Sequence, residues 1–160
     1  IAGYNYGARK YSRVKDVYKR TAILATLVTV IGFLITELFP RATVGIFTSD
    51  AELLEMSSNG IRIMNIMLPI VGFQMVTSNL FQSLGMVKKS IILSLSRQLL
   101  FLLPCLYFLP MGFDAKGIWM SYPVADGIAS LVTIVLLSRL LKKFRMLNDG
   151  DDPSILGSSI

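Results

Sequence analysis

An all-α membrane fold, a polytopic helical bundle, is what three features of the sequence predict. Hydrophobic residues make up 53% of the 160 and charged residues 16%, whereas a soluble domain carries about a quarter charged residues. Four apolar runs of about 19 to 27 residues each match the ~20 residues a helix needs to cross ~30 Å of hydrocarbon. The charges collect between these runs rather than along them.

Residues 1–20 are rich in Gly, Tyr and basic side chains and read as a basic loop. The first span covers about 21–39, with Glu37 as its charge. A connection from Pro40 to Asn59 is too long for a hairpin turn. Within it, Asp50-Ala51-Glu52-Leu53-Leu54-Glu55-Met56 reads as a short helix at the interface, N-capped by Asp50. The second span, about 61–87, is broken by Arg62, Asn65, Pro69, Gln74, Asn79 and Gln82; the third, about 90–110, contains Arg97; the fourth, about 117–141, contains Asp126. Only helices or closed barrels satisfy the backbone in lipid, and runs without apolar–polar alternation mean helices. Residues 146–160, with Gly, Ser and three Asp, read as a disordered tail.

Loop charges orient the bundle. Of 16 Lys and Arg, six lie in residues 9–20, two are Lys88 and Lys89, and four lie in residues 139–145. Four crossings put all of these on one face, leaving Arg41, Lys116 and Arg62 on the other. The positive-inside rule makes the first face cytoplasmic, with residues 1–20, 88–89 and the C-terminus inside. The net charge of +6 is then an anchor to anionic lipid and not a nucleic-acid surface.

Several chemistries are excluded. One cysteine, Cys105, and no histidine leave no disulfide framework, thiolate cluster, imidazole triad or His-based zinc site within the chain. No Gly-x-x-x-x-Gly-Lys-Ser/Thr loop is present, and Gly3 and Gly7 precede no strand. No set of residues makes an intramembrane nucleophile and base, so no enzyme is expected, and no cofactor or metal. The start at Ile1-Ala2-Gly3, with neither Met nor a signal-like segment, leads us to expect the C-terminal part of a longer protein.

Polar side chains inside a membrane usually face a bundle interior or a cavity. Thr21, Ala25, Thr29, Gly32 and Thr36 share one face of the first span, as expected of close helix packing. Asn65, Pro69, Gly72, Asn79 and Gln82 share a face of the second, with Met64, Met67 and Met75 adding deformable surface; this is either a cavity wall or an interface held by amides. Pro69 removes a backbone hydrogen bond and bends the helix or frees a carbonyl. Arg97 snorkels toward the cytoplasm or pairs. Asp126, near the midplane with Tyr122, Ser130 and Thr133 on its face, must be paired, hydrated or protonated. As antiparallel neighbours, the third and fourth spans place Arg97 and Asp126 roughly 6 Å apart in depth, within reach of one another.

Four stretches carry a family resemblance. Ile1-Ala2-Gly3-Tyr4-Asn5-Tyr6-Gly7-Ala8-Arg9 resembles the cytoplasmic Gly-Tyr-Asn-Tyr-Gly-Ala loop of the multidrug and toxic compound extrusion (MATE) transporters, whose opening Gln-Pro would precede Ile1. Phe81-Gln82-Ser83-Leu84-Gly85-Met86-Val87-Lys88 resembles the end of that family's tenth helix. Ser96-Arg97-Gln98 with Leu103-Pro104 and Leu109-Pro110 resembles the eleventh, and Gly117-Ile118-Trp119 with Pro123-Val124-Ala125-Asp126 the twelfth. The resemblance covers residues 1–145 and is closest to the bacterial branch.

It implies the last four of about twelve helices in two six-helix lobes. It further implies an antiporter of a bacterial inner membrane that exports cationic, amphipathic drugs or metabolites for H⁺ or Na⁺. Its partners would be the bilayer, those cargoes and the missing N-terminal part of the same transporter. The span at 61–87 lacks the acid that some branches place on the tenth helix. Asp126, Asn79, Gln82, Asn65, Tyr122 and Arg97 are the cavity candidates, and Gly3, Tyr4, Asn5 and Gly7 the loop motif. A flippase for lipid-linked or polysaccharide cargo is the alternative; it would want more than the one buried cation that Arg97 supplies. A plain membrane anchor is the remaining rival, against which Asp126 and Asn79 argue.

Overall fold

The chain, seen in a computed structural model, is described over residues 1–152, and among those residues every regular element is helical. In order they are α1 (Ala2–Gly7), α2 (Tyr11–Leu38), α3 (Pro40–Gly45), α4 (Ala51–Met64), a 3₁₀ turn (Asn65–Met67), α5 (Leu68–Ser83), α6 (Val87–Leu95), a π-helical stretch (Ser96–Leu102) and α7 (Leu103–Met146).

Three continuous helical runs are long and apolar enough to cross a membrane: 11–38, 51–83 and 87–146. The two C-terminal apolar segments read in the sequence therefore join in one run of 60 residues. That run reverses at Asp114, where the backbone leaves helical geometry (φ 49°, ψ −136°). Beyond it a Cβ on Gly117 would strike the Leu109 carbonyl, and Asp126 comes back against Arg97. The two arms are thus antiparallel, and glycine at 117 is what lets them close so near the turn.

Three sequence expectations are corrected. Residues 1–20 are not a loop: α1 and the first turns of α2 are helical, so α2 starts ten residues before the apolar run does. Tyr11, Val14 and Tyr18 recur at helical spacing and are buried, a stripe that packing stabilises whatever the basic residues on the opposite face prefer. The separate interfacial helix at 50–56 is instead the opening of the second long run. Asp50 does cap it, accepting from the Leu53 amide at 3.0 Å, but no residue before Ile61 stops the helix. Gly60 is kept there by contact: a Cβ would lie 2.8 Å from the Trp119 ring.

The third correction concerns the tail. Residues 147–152 turn back onto the α1–α2 turn and the start of α2; the remainder of the expected disordered tail lies outside the described residues. The Gly150 amide donates to the Arg9 carbonyl (2.8 Å), the Tyr11 hydroxyl to the Asp151 carbonyl (3.0 Å), and Arg9 pairs with Asp152 (3.0 Å). Ser12 donates to Asp149 through both its amide and its hydroxyl. Tyr6, Tyr11 and Phe144 stack within 6.0 Å beneath this clasp. Leu80, Phe81, Leu84 and Met86 extend the same core around the α5–α6 turn. There Gly85 takes φ 78°, with the Met86 amide on Phe81 and the Gly85 amide on Gln82, a left-handed glycine stop for α5. The N-terminus, this turn and the C-terminal clasp therefore share one end of the bundle. The Arg62–Glu37 pair (2.7 Å) and the Gly60–Trp119 contact sit toward the other.

Candidate functional site: an ion pair in an inter-helix cavity

A cavity of about 440 Å³ opens between α5, the π stretch and α7, with Arg97 and Asp126 as its charged lining residues. Each wall follows from its sequence. Pro104 has no N–H to donate back along the third span, and its ring crowds the carbonyl four residues earlier. The chain passes that point in the wider π register of Ser96–Leu102, a distortion common at functional sites. On α7, Ser121, Ala125, Ala129, Ser130 and Thr133 make a small, buried stripe that admits a neighbouring helix closely. Asp126 lies in that stripe and is buried.

The Arg97 guanidinium meets Asp126 through Nε to Oδ1 at 2.6 Å and through NH2 to Oδ2 at 3.5 Å. The expected pairing is therefore present, and Arg97 reaches inward rather than snorkelling. The two ends are unequal: the Arg97 side chain is 34% exposed and that of Asp126 10%. The carboxylate sits behind and the guanidinium faces the cavity. Gln74 on α5 donates its amide to the Asp126 backbone carbonyl at 2.8 Å, fixing α5 and α7 at the level of the pair. Below it Ser78 reaches Ser90 (3.3 Å) and Ser94 (3.0 Å) on α6. Behind α5, the hydroxyls of Tyr18 and Thr77 meet at 2.8 Å.

Of the residues singled out in the sequence, Arg97, Asp126, Asn79 and Tyr122 line this cavity together. Gln82 does not; it is exposed on the last turn of α5. Asn65 does not either, since it starts the 3₁₀ turn toward the opposite end. That turn is the effect of Pro69: without a proline amide, the Asn65 carbonyl is taken by the Leu68 N–H. The loop-motif residues stand apart from the cavity. Gly3 backs onto the Ser83 carbonyl, Asn5 bonds the Ile1 carbonyl (3.0 Å), Tyr4 is exposed, and a side chain at Gly7 would meet open space. Gln74 and Ser94 are cavity residues that the wheel of polar positions did not select. The Ser90–Ser94 spacing, one helical turn, was the available signal.

The MatE family profile matches residues 1–108, well over half of the chain. The chain belongs to the MatE family. Arg97 falls inside the matched region and Asp126 beyond it. MatE-family relatives include the multidrug export protein MepA of Staphylococcus aureus strain MSSA476, 21% identical over 137 residues, which cover 86% of this chain and 30% of MepA. MepA of strain bovine RF122 / ET3-1 is 20% identical over the same shares. The chain thus spans about a third of the length of these curated relatives. A solved structure titled as an inward-facing MATE-family multidrug resistance transporter superposes with TM-score 0.84 over 92% of this chain and 35% of that one, at 20% identity. A second solved chain, titled only protein A, gives TM-score 0.79 at 38% identity over 85% of this chain and 30% of its own. The helical membrane fold and the MatE membership, that of a transporter family rather than an enzyme, rest on these matches together with the apolar runs.

Proposed function

We propose that this MatE chain forms the last helices of a multidrug antiporter, exporting amphipathic cationic compounds from a bacterial cell in exchange for H⁺ or Na⁺. The Arg97–Asp126 pair would be the element that the exchange acts on. The observation that carries this reading is a nearly buried carboxylate, held by one guanidinium, inside a cavity large enough for a drug-sized ligand. A proton, a Na⁺ ion or a cationic cargo each competes with Arg97 for Asp126. Opening the pair leaves a buried charge that only a new partner or a helix shift can satisfy. The basic residues gathered at the clasped end would face the cytoplasm, with the bilayer against the outward apolar faces of α2 and α7. The rest of the transporter would complete the pathway, so activity belongs to the full-length protein.

A flippase for anionic lipid-linked cargo fits less well, because the one guanidinium lining the cavity already has a carboxylate against it. Ethidium export from bacteria lacking their own efflux pumps tests the proposal. The full-length protein should lower steady-state dye accumulation, and collapse of the proton or Na⁺ gradient should abolish the difference. Dye accumulation equal to that of empty cells would contradict it.

A further inference from the structure

The charge balance of the cavity narrows its occupant, on the reading above that it is a cargo site. An occupant that is only cationic would take Asp126 and strand Arg97. An occupant that is only anionic would take Arg97 and strand Asp126. A buried ion left without its partner is costly. A molecule bearing both an ammonium and a carboxylate replaces one ion pair with two and strands neither.

The geometry favours a cargo that enters with its own carboxylate toward Arg97. The guanidinium is the more exposed partner, and Asp126 holds it at Nε and, more distantly, at NH2. A guanidinium has five N–H donors in a planar fork, so donors remain for a second carboxylate on the cavity side. Asn79 and Tyr122 supply neutral polar contacts nearby, while Met75 and Leu102 supply apolar wall. We propose that the α5–α7 cavity is a site for amphoteric amphipaths, in which Arg97 reads a carboxylate on the cargo and Asp126 receives its ammonium. Arg97 is then a specificity-determining residue as well as half of the internal pair.

A matched pair of probes isolates the carboxylate: 4-(aminomethyl)benzoate and its methyl ester share the ring and the ammonium. Binding of each is measured on the purified full-length transporter in nanodiscs, by calorimetry, for wild type, Arg97→Lys and Arg97→Gln. The wild type should favour the acid over the ester by at least about ten-fold, the scale of a charge-assisted fork contact. Arg97→Lys, which keeps the charge but loses the fork, should shrink that preference, and Arg97→Gln should erase it. Equal affinities in the wild type would overturn the proposal without need of any variant, as would a preference that survives Arg97→Gln. Ethidium export by the same preparation, reconstituted in vesicles, separates the two readings: export with no acid preference removes the amphoteric site and leaves the antiporter standing.

Discussion

Arg97 and Asp126 each carry a group that a membrane interior does not hold alone, and their meeting at 2.6 Å follows from where the chain puts them. Depth arithmetic along two antiparallel arms was enough to bring them together, because helix rise is nearly invariant. The same kind of counting failed for Gln82 and Asn65. A wheel drawn at 3.6 residues per turn through both assumes unbroken α-helix, but the 3₁₀ turn at Asn65–Met67 winds at 3.0 and shifts the phase of Asn65 against Asn79. Gln82 sits on the last turn of α5, just before Gly85 ends the helix, past the cavity. This divides two substitutions that look alike in sequence. Asn79→Leu in the full-length protein should change which compounds are exported while expression stays near normal. Gln82→Leu should leave the compound profile unchanged. Resistance profiles against a panel of dyes and biocides check both, and a changed profile for Gln82→Leu alone would reverse the placement.

Helix pairs close where small residues permit. Gly72 on α5 faces α2: a Cβ there would lie 2.7 Å from the Ala25 carbonyl and 2.8 Å from the Thr29 hydroxyl. The Thr29 hydroxyl also reaches the Pro69 carbonyl at 3.3 Å. Gly72→Ala should therefore push α2 and α5 apart at a cost of about 1–3 kcal/mol. It should appear as a lower unfolding midpoint in detergent, where Gly7→Ala, facing open space, should show no such loss. The face of α2 bearing Thr29 was readable as a packing face. Its partner was not, since no local pattern says which helix a small-residue stripe will meet.

The C-terminal clasp makes an element-scale prediction in acid. The hydroxyl of Ser12, with its amide, holds the Asp149 carboxyl below its ordinary value of 3.8. A carboxylate with a lowered folded value stabilises the fold above its unfolded value, and that contribution is lost as pH falls through the folded one. The clasp should thus be intact at neutral pH and loosen only below 3.8. A carboxyl-carbon NMR titration should place the Asp149 midpoint below that value in wild type and move it upward in Ser12→Ala. An unchanged midpoint would remove Ser12 as the cause. The tail's order was hidden in the sequence because Gly, Ser and Asp suit a disordered segment equally well; what orders residues 147–152 is distant partners, Arg9 before α2 and Tyr11 and Ser12 on it.

Across the whole molecule, the basic residues near residues 1–20, 88–89 and 139–145 gather at one end because the N-terminus, the α5–α6 turn and the clasp meet there. A single cysteine at position 88, in a Cys105→Ala background of the full-length protein, should resist an impermeant maleimide added to intact cells and react in lysed ones. A cysteine at position 114 should react already in intact cells. The class of fold was legible because composition and run length report the solvent directly. The extent of the helices was not, because polar helix ends such as Tyr11–Arg20 are held by tertiary contacts that hydropathy does not record.

If the exchange proposed above runs through the ion pair, Arg97 and Asp126 act as one unit in transport. A double-mutant cycle measures it. Arg97→Gln and Asp126→Asn should each cut the ethidium export rate of the full-length protein by about ten-fold or more and each lower its stability, since removing one partner of a largely buried pair strands the other. The double mutant should do less harm than the two losses combined, with a coupling of ~1–3 kcal/mol in stability and a matching recovery in export. Losses that simply add, in export and in stability alike, would mean that the two residues work apart, and the ion pair would then have no part in exchange.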